Sequence, residues 1–251
     1  KAAGVLFDIE NLPVSAHVDY RALLDEARAR LSSTLTGNPA TVMIAAPVAD
    51  EAWDLGAYGR AADRVVLMAY DEHWQSGSPG PIASQAWYAQ VVESAVARTG
   101  TDRAIVAVGN YAFDWSKEQP LADSITVEQA WARAAQAKTL PLFDPASGNT
   151  GFAYVQAGVR HEVWMLDALS AWNQLLVLRQ VRPAGIALWR LGSEDPGFWP
   201  VLSAFQADAP APVTALKHLP VGQGVELHGT GEVLRMGTPA EGGSRTIVVI
   251  T

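Results

Sequence analysis

A chain of 251 residues, 49% hydrophobic and 18% charged, can bury a substantial core and is no disordered polypeptide. Its formal net charge of −8, with no Lys/Arg run, opposes a phosphate backbone and argues against nucleic acid as a partner. It has no cysteine, which removes disulfide frameworks and thiolate metal sites, and no apolar run reaches the eighteen or so residues needed to span a bilayer.

The first apolar run, residues 4–8, begins almost at Lys1. No charged segment, apolar stretch and cleavage site of an export signal stands before it, so the natural amino terminus is expected upstream. The run sits in GVLFDIE, which ends in two carboxylates two positions apart. Alternate residues of a strand share a face, so Asp8 and Glu10 point the same way. Acids this close do not ionise independently, and one holds its proton toward neutral pH. Glycosidic bond cleavage needs such a pair. Taken alone, the fragment fits equally well a strand end whose acids cap the next helix.

Further apolar runs at 41–47, 64–70, 104–109 and 185–189 read as buried parallel strands, each continuous rather than alternating. Helical spacing occupies 20–31, 51–61, 84–98, 127–137 and 167–180; the third carries Trp87, Val91, Val92 and Ala95 on one face. Alternation of the two predicts a parallel α/β sheet. Acids and aromatics concentrate just after the strands: Asp8 and Glu10, Tyr70 and Asp71, Asn110 and Tyr111, Trp189 and Arg190. In a (β/α)8 barrel that rim carries the chemistry. The fold expected is the last five or so βα units of such a TIM barrel, with roughly ninety residues and three strands upstream. Residues 140–167 hold two β-like runs around a Pro/Gly/Asn turn and predict a hairpin over the mouth. The barrel is expected to fill 1–205. Beyond it, 206–251 reads as a stiff linker at 208–212 and a small β-rich appendage, or the start of another domain, with short strands at 224–227, 231–235 and 246–250.

These residues resemble glycoside hydrolase family eighteen, the chitinase-like barrels, from residue 4 to about 199. That family has a D-x-E strand end, a later M-x-Y-D and a last strand ending in Trp. Here GVLFDIE supplies Asp8 and Glu10, VVLMAYDEHW supplies Met68, Tyr70 and Asp71, and GIALWRLGSED supplies Trp189. Within the family the chain looks closest to spore-germination cell-wall hydrolases, and closer still to barrels fused to polysaccharide deacetylase and glycosyltransferase domains. MAYDEHW, PGPIAS, FDPASGN and ALWRLGSEDPG carry that likeness. The resemblance implies a retaining, substrate-assisted hydrolase of β-linked N-acetylglucosamine polymers in the bacterial envelope. Glu10 would be the acid/base, Asp8 the orienter of the acetamido group, and Tyr70 a donor to that group. Met68 and Trp189 would shape and floor the pocket, and Asp71 would bind hydroxyls. Tyr111, Trp74 and Trp115 are further candidates for substrate contact. The resemblance also implies an extracytoplasmic location and a polysaccharide partner. No cofactor is expected, and the five histidines show no pair at metal-ligand spacing.

The chain departs from the full motif D-x-x-D-x-D-x-E, with Ala3 and Leu6 at its first two acid positions. Leu6 shares the face of Asp8 and Glu10 and cannot hydrogen-bond. A second reading follows from that loss: a catalytically weak or inactive carbohydrate-binding barrel within a polysaccharide synthesis or modification protein.

Overall fold

The computed structural model describes residues 3–31, 40–212 and 246–249. In chain order the elements are β1 (Gly4–Phe7), α1 (His17–Leu31), β2 (Thr41–Pro47), α2 (Leu55–Ala61), β3 (Arg64–Met68), α3 (Gln85–Thr99) and β4 (Ala104–Gly109). Then come β5 (Ala112–Ser116), β6 (Asp123–Ile125), α4 (Val127–Gln136), β7 (Leu142–Asp144), β8 (Asn149–Gln156) and β9 (Val159–Met165). The chain continues with α5 (Ala168–Val181), β10 (Gly185–Trp189), α6 (Phe198–Gln206) and β11 (Thr246–Val249).

The architecture is α/β, built on a parallel half-barrel sheet in the order β1-β2-β3-β4-β10-β11. Every pair in it is parallel. The strands read as continuous apolar runs because both faces are covered. On one face Val42, Ile44, Val65, Leu67, Val106, Val108 and Leu188 pack against helical Leu24, Tyr58, Val92, Leu175 and Phe205. On the other, Leu6, Met43, Val66, Ile105, Ala107 and Ala187 form an inner apolar layer that reaches Tyr70. Alternation along β1 and β3 therefore puts Leu6, and likewise Val66, Met68 and Tyr70, on the inner face, and Asp8 and Glu10 follow the end of β1.

Two helices after strands begin at side-chain caps. Asp54 accepts from the Ala57 amide at the start of α2, and Asp167 accepts from the Leu169 and Ser170 amides at the start of α5. Each supplies partners to otherwise orphaned first-turn N–H groups.

Between β4 and α5 lies an antiparallel sheet in the order β6-β5-β9-β8-β7. The hairpin expected over 140–167 corresponds to β8 and β9, but the sheet starts at Ala112 and includes strands on both sides of α4. The helical pattern at 127–137 belongs to this insertion: Val127, Ala130, Trp131 and Ala134 pack against Ala112, Phe152, Tyr154, Val163 and Met165. Its start is fixed by a reciprocal capping box between Thr126 and Gln129.

The proposed appendage at 206–251 falls mostly outside the described residues, including the strands expected at 224–227 and 231–235. Thr246–Val249 is a strand, but it pairs in parallel with β10 and extends the main sheet rather than a separate β unit. Among the described residues no helix is long and apolar enough to cross a membrane.

Candidate active site

The ends of β1, β3, β4 and β10 converge on one group of polar and aromatic side chains. Asp8 and Glu10 follow β1, are solvent-exposed and lie beyond the last ladder pair, Phe7 with Ile44. Tyr70 and Asp71 follow β3, and Asp71 adopts a left-handed backbone with φ 65°, a conformation in which Asp is enriched among non-glycine residues. Tyr111 follows β4 and donates its hydroxyl hydrogen to the Asp71 carboxylate. Trp189 ends β10, and the peptide bond that follows it is cis.

The rings stack across the sheet. Tyr70 lies parallel to Trp189, with centroids 6.2 Å apart and planes at 17°. Tyr111 meets Tyr70 edge-on at 6.1 Å and 88°. Offset stacking and edge-to-face contact are the favoured arrangements of such rings.

Electrostatics ties the acids to these rings. The Glu10 carboxyl is raised above the ordinary value, first by burial, then by the Asp8 and Asp71 carboxylates. Glu10 exposes much of its surface, so water screens these charges in part. Burial, followed by the charges of Asp71, Glu10 and Asp8, pushes the Tyr70 hydroxyl well up, so it remains a neutral donor. Burial also raises Asp71, against the hydrogen bond from Tyr111. Three carboxylates and two phenols thus share one electrostatic neighbourhood, in which holding a proton on Glu10 is favoured.

The structure brings Asp8, Glu10, Tyr70, Asp71, Tyr111 and Trp189 together. Met68 ends β3, half-buried, on the same side as Tyr70. Trp74 is 61% exposed on the loop between β3 and α3. That loop is tied down where Glu72 accepts from the Ser84 amide at 2.6 Å and its hydroxyl at 3.0 Å. It also bridges to the insertion, where Gln75 Nε2 donates to the Ala122 carbonyl at 2.7 Å. Trp115 is buried in the insertion, edge-on to Phe113 at 5.4 Å, in a cluster that includes Ile82, Ala122 and Tyr111 and against which Tyr70 and Trp189 pack.

Sequence reasoning missed a supporting network. Asn110 Nδ2 donates to the Asp167 carbonyl at 3.1 Å, and its Oδ1 accepts from the Asp195 amide at 2.6 Å. Ser193 donates to the Asn110 carbonyl at 3.0 Å. One buried asparagine thus joins the ends of β4 and β10 to the start of α5. The available signal was Asn110 itself, a polar residue directly after an all-apolar strand.

No protein-family model matches the chain. Among curated proteins, it is 26% identical to an uncharacterized glycosylase, YvbX, of Bacillus subtilis, over 73% of this chain and 58% of that protein. It is 28% identical to a cortical fragment-lytic enzyme of Bacillus anthracis, over 78% and 48%. Among solved structures, the spore cortex-lytic enzyme SleL of Bacillus cereus matches with a TM-score of 0.71 and 26% identity, over 80% of this chain and 48% of that one. A chitinase from Chromobacterium violaceum matches with a TM-score of 0.71 and 25% identity, over 82% and 66%. The chain is a relative of the chitinase-like glycosidases. It spans about half the length of the curated relatives it matches. Similarity in sequence and fold thus reaches both glycosylases and chitinases.

Proposed function

We propose that this half-barrel is part of a chitinase-like (β/α)8 barrel that hydrolyses β-linked, N-acetylglucosamine-containing polysaccharide with retention, by a substrate-assisted route. The observation that supports this most is Glu10, raised by burial and by Asp8 and Asp71, in one electrostatic neighbourhood with Tyr70, whose ring stacks on Trp189.

In this mechanism Glu10 gives its proton to the glycosidic oxygen as the bond to the anomeric carbon breaks. The sugar's own acetamido oxygen attacks that carbon from the other side and forms a cyclic oxazolinium ion, which replaces the enzyme nucleophile of ordinary retaining hydrolases. Asp8 accepts the acetamido N–H hydrogen bond and stabilises the positive charge that develops there. Tyr70 donates to the acetamido oxygen, which orients it for attack. Water then attacks the anomeric carbon as its bond to the acetamido oxygen breaks and the amide reforms, while Glu10 takes the water's proton, which restores the acid and leaves the starting configuration. Trp189 supplies a flat apolar floor for the sugar ring, and Asp71, held by Tyr111, meets the ring hydroxyls.

Cell-wall glycan as the substrate, and action outside the cytoplasm, are supported by the cortex-lytic names of the relatives. The test is release of a chromophore from a chitobiose glycoside by the full-length protein and by Glu10→Gln. Loss of at least a thousandfold in the variant supports the role of Glu10; equal rates remove it.

A second reading, a binding barrel with little turnover, draws on Leu6. Its side chain packs in the inner apolar layer with Met43 and Val66, where the full family motif has an acid. Under that reading, chitooligosaccharides bind, Glu10→Gln leaves affinity unchanged and no product forms with either protein.

A further inference from the structure

Tyr20, on α1, has no part in the reaction above, yet its hydroxyl lies against the backbone that carries both acids. Tyr20 is 4% exposed and donates to the Phe7 carbonyl at 3.3 Å. The Ile9 backbone N–H and the Asp8 carboxylate act on the same oxygen electrostatically. The peptide unit that leads from Phe7 into Asp8 is therefore tied to this side chain.

That tie matters because of where the acids sit. The ladder between β1 and β2 ends at Phe7 and Ile44, so residues 8–10 have no strand partner among the described residues. Backbone beyond the last ladder bond opens easily unless another group holds it.

The hydroxyl is itself held. The Tyr20 ring meets Trp53 edge-on at 6.1 Å and lies 5.7 Å from Tyr58. Tyr58 shares a 2.8 Å hydrogen bond with His17 Nδ1, and the His17 ring stands edge-on to Trp53 at 5.1 Å. All four side chains are buried. A phenylalanine would fill this aromatic box as well; what tyrosine adds is a polar tip aimed at β1.

We propose that Tyr20 is a positioning residue for the acid pair: its hydroxyl holds the Phe7 carbonyl, at the root of the segment 8–10, so that Asp8 and Glu10 keep a common orientation. This rests on Glu10 as the acid/base.

The test is Tyr20→Phe, with Glu10→Gln beside it, in the full-length protein. With Tyr20→Phe, kcat on the chitobiose glycoside is expected to fall about tenfold, the size of one lost hydrogen bond, with KM within twofold. The acids drift apart, Asp8 raises Glu10 less, and the basic limb of the kcat/KM profile moves to lower pH. Simple loosening of the core would not move that limb. Independently of turnover, hydrogen exchange at the Ile9 amide should quicken at least tenfold. Parental kcat, pH profile and amide exchange in Tyr20→Phe, where Glu10→Gln is inactive, overturn the clamp and leave the hydrolase reading standing. Full activity in Glu10→Gln sinks that reading and the clamp with it.

Discussion

Tyr70 and Trp189 lie face to face although β4 separates the strands that carry them. Strands two apart in a sheet are roughly 9.5 Å from each other, so the rings must lean over the end of the middle strand. That end is Gly109, in register with Trp189. A Cβ there would stand 2.9 Å from the Tyr111 ring, 2.9 Å from a Leu166 methyl and 3.2 Å from the Tyr70 Cβ. The missing side chain makes room for the aromatic group of the site.

Gly109→Ala should therefore act on the site before it acts on the fold. The Leu166 methyl can swing away, but the Tyr111 ring is anchored by its bond to Asp71, so Tyr111 and Tyr70 must shift. Overpacking of this kind costs about 1–3 kcal/mol, roughly 2–4 °C of Tm per kcal/mol for a domain this size. Affinity for chitooligosaccharide, read by titration calorimetry, should fall at least fivefold. A parental affinity would show that the stacked rings take no part in binding.

Much of this arrangement was legible in the sequence, and the reasons differ by element. The parallel strands announce themselves because a strand covered on both faces cannot alternate, and β4 is buried along its whole length. The D-x-E spacing marks Asp8 and Glu10 as a pair of acids at a strand end, and the structure places them directly after β1. The insertion was harder. β5 begins three residues after β4 ends, with AFDWS, in which Phe113 faces one cluster and Ala112 the other. An amphipathic helix such as α4 reveals its apolar stripe but not which of two sheets receives it. Trp115 illustrates the same limit: composition marks it as an aromatic, and only the packing shows that it shares a cluster with Phe113, Ile82 and Tyr111.

The pH profile should respond to the acids around Glu10 in a fixed direction. As general acid Glu10 must be protonated, so its ionisation sets the basic limb of kcat/KM. After burial, Asp8 and then Asp71 raise it. Asp71→Asn removes one of these charges, so the Glu10 carboxyl drops toward its ordinary value and the basic limb moves to lower pH. Asp8→Asn should move it further in the same direction, with a loss in kcat as well because the acetamido group loses its partner. A limb that stays in place or moves up would contradict the assignment.

Glu10→Gln should abolish turnover and stabilise the protein at neutral pH. The folded-state value of Glu10 lies above its unfolded value, so the folded state binds more protons between the two, and stability is lost as pH rises through that window. Above it the ionised carboxyl carries the full penalty of burial and of its two acidic neighbours; below about pH 4 the group is neutral in both states. Gln has no charge to penalise. Calorimetric scans should give the variant a higher Tm than the parent at pH 7 to 8, and the two should converge at pH 4. A lower Tm at neutral pH would mean that Glu10 is paired with a cation rather than set among acids.

Asp114 offers the opposite case, an acid whose value is to the fold. It follows Phe113 on β5, so its side chain leaves by the face away from Tyr111, Phe113 and Trp115, toward α4. Its side chain is fully buried, and it accepts from Arg133, from Tyr154 at 2.6 Å and from His161 Nδ1 at 2.9 Å. Arg133 also reaches Asp123 at 3.2 Å. Asp114→Ala strands a guanidinium, a phenol and an imidazole around a void, and removing one member of a buried ion pair costs about 3–5 kcal/mol. Arg133 keeps Asp123, which places the expected loss at the low end of that range and the fall in Tm at roughly 6–12 °C. Because the group lies across the insertion sheet from the acids, kcat measured well below the new Tm should stay within twofold of the parent. Arg133→Met with Asp114→Leu, which removes both charges, should recover much of the lost Tm. If the double variant is no more stable than Asp114→Ala, the damage comes from lost packing between β5 and α4 and not from an uncompensated charge.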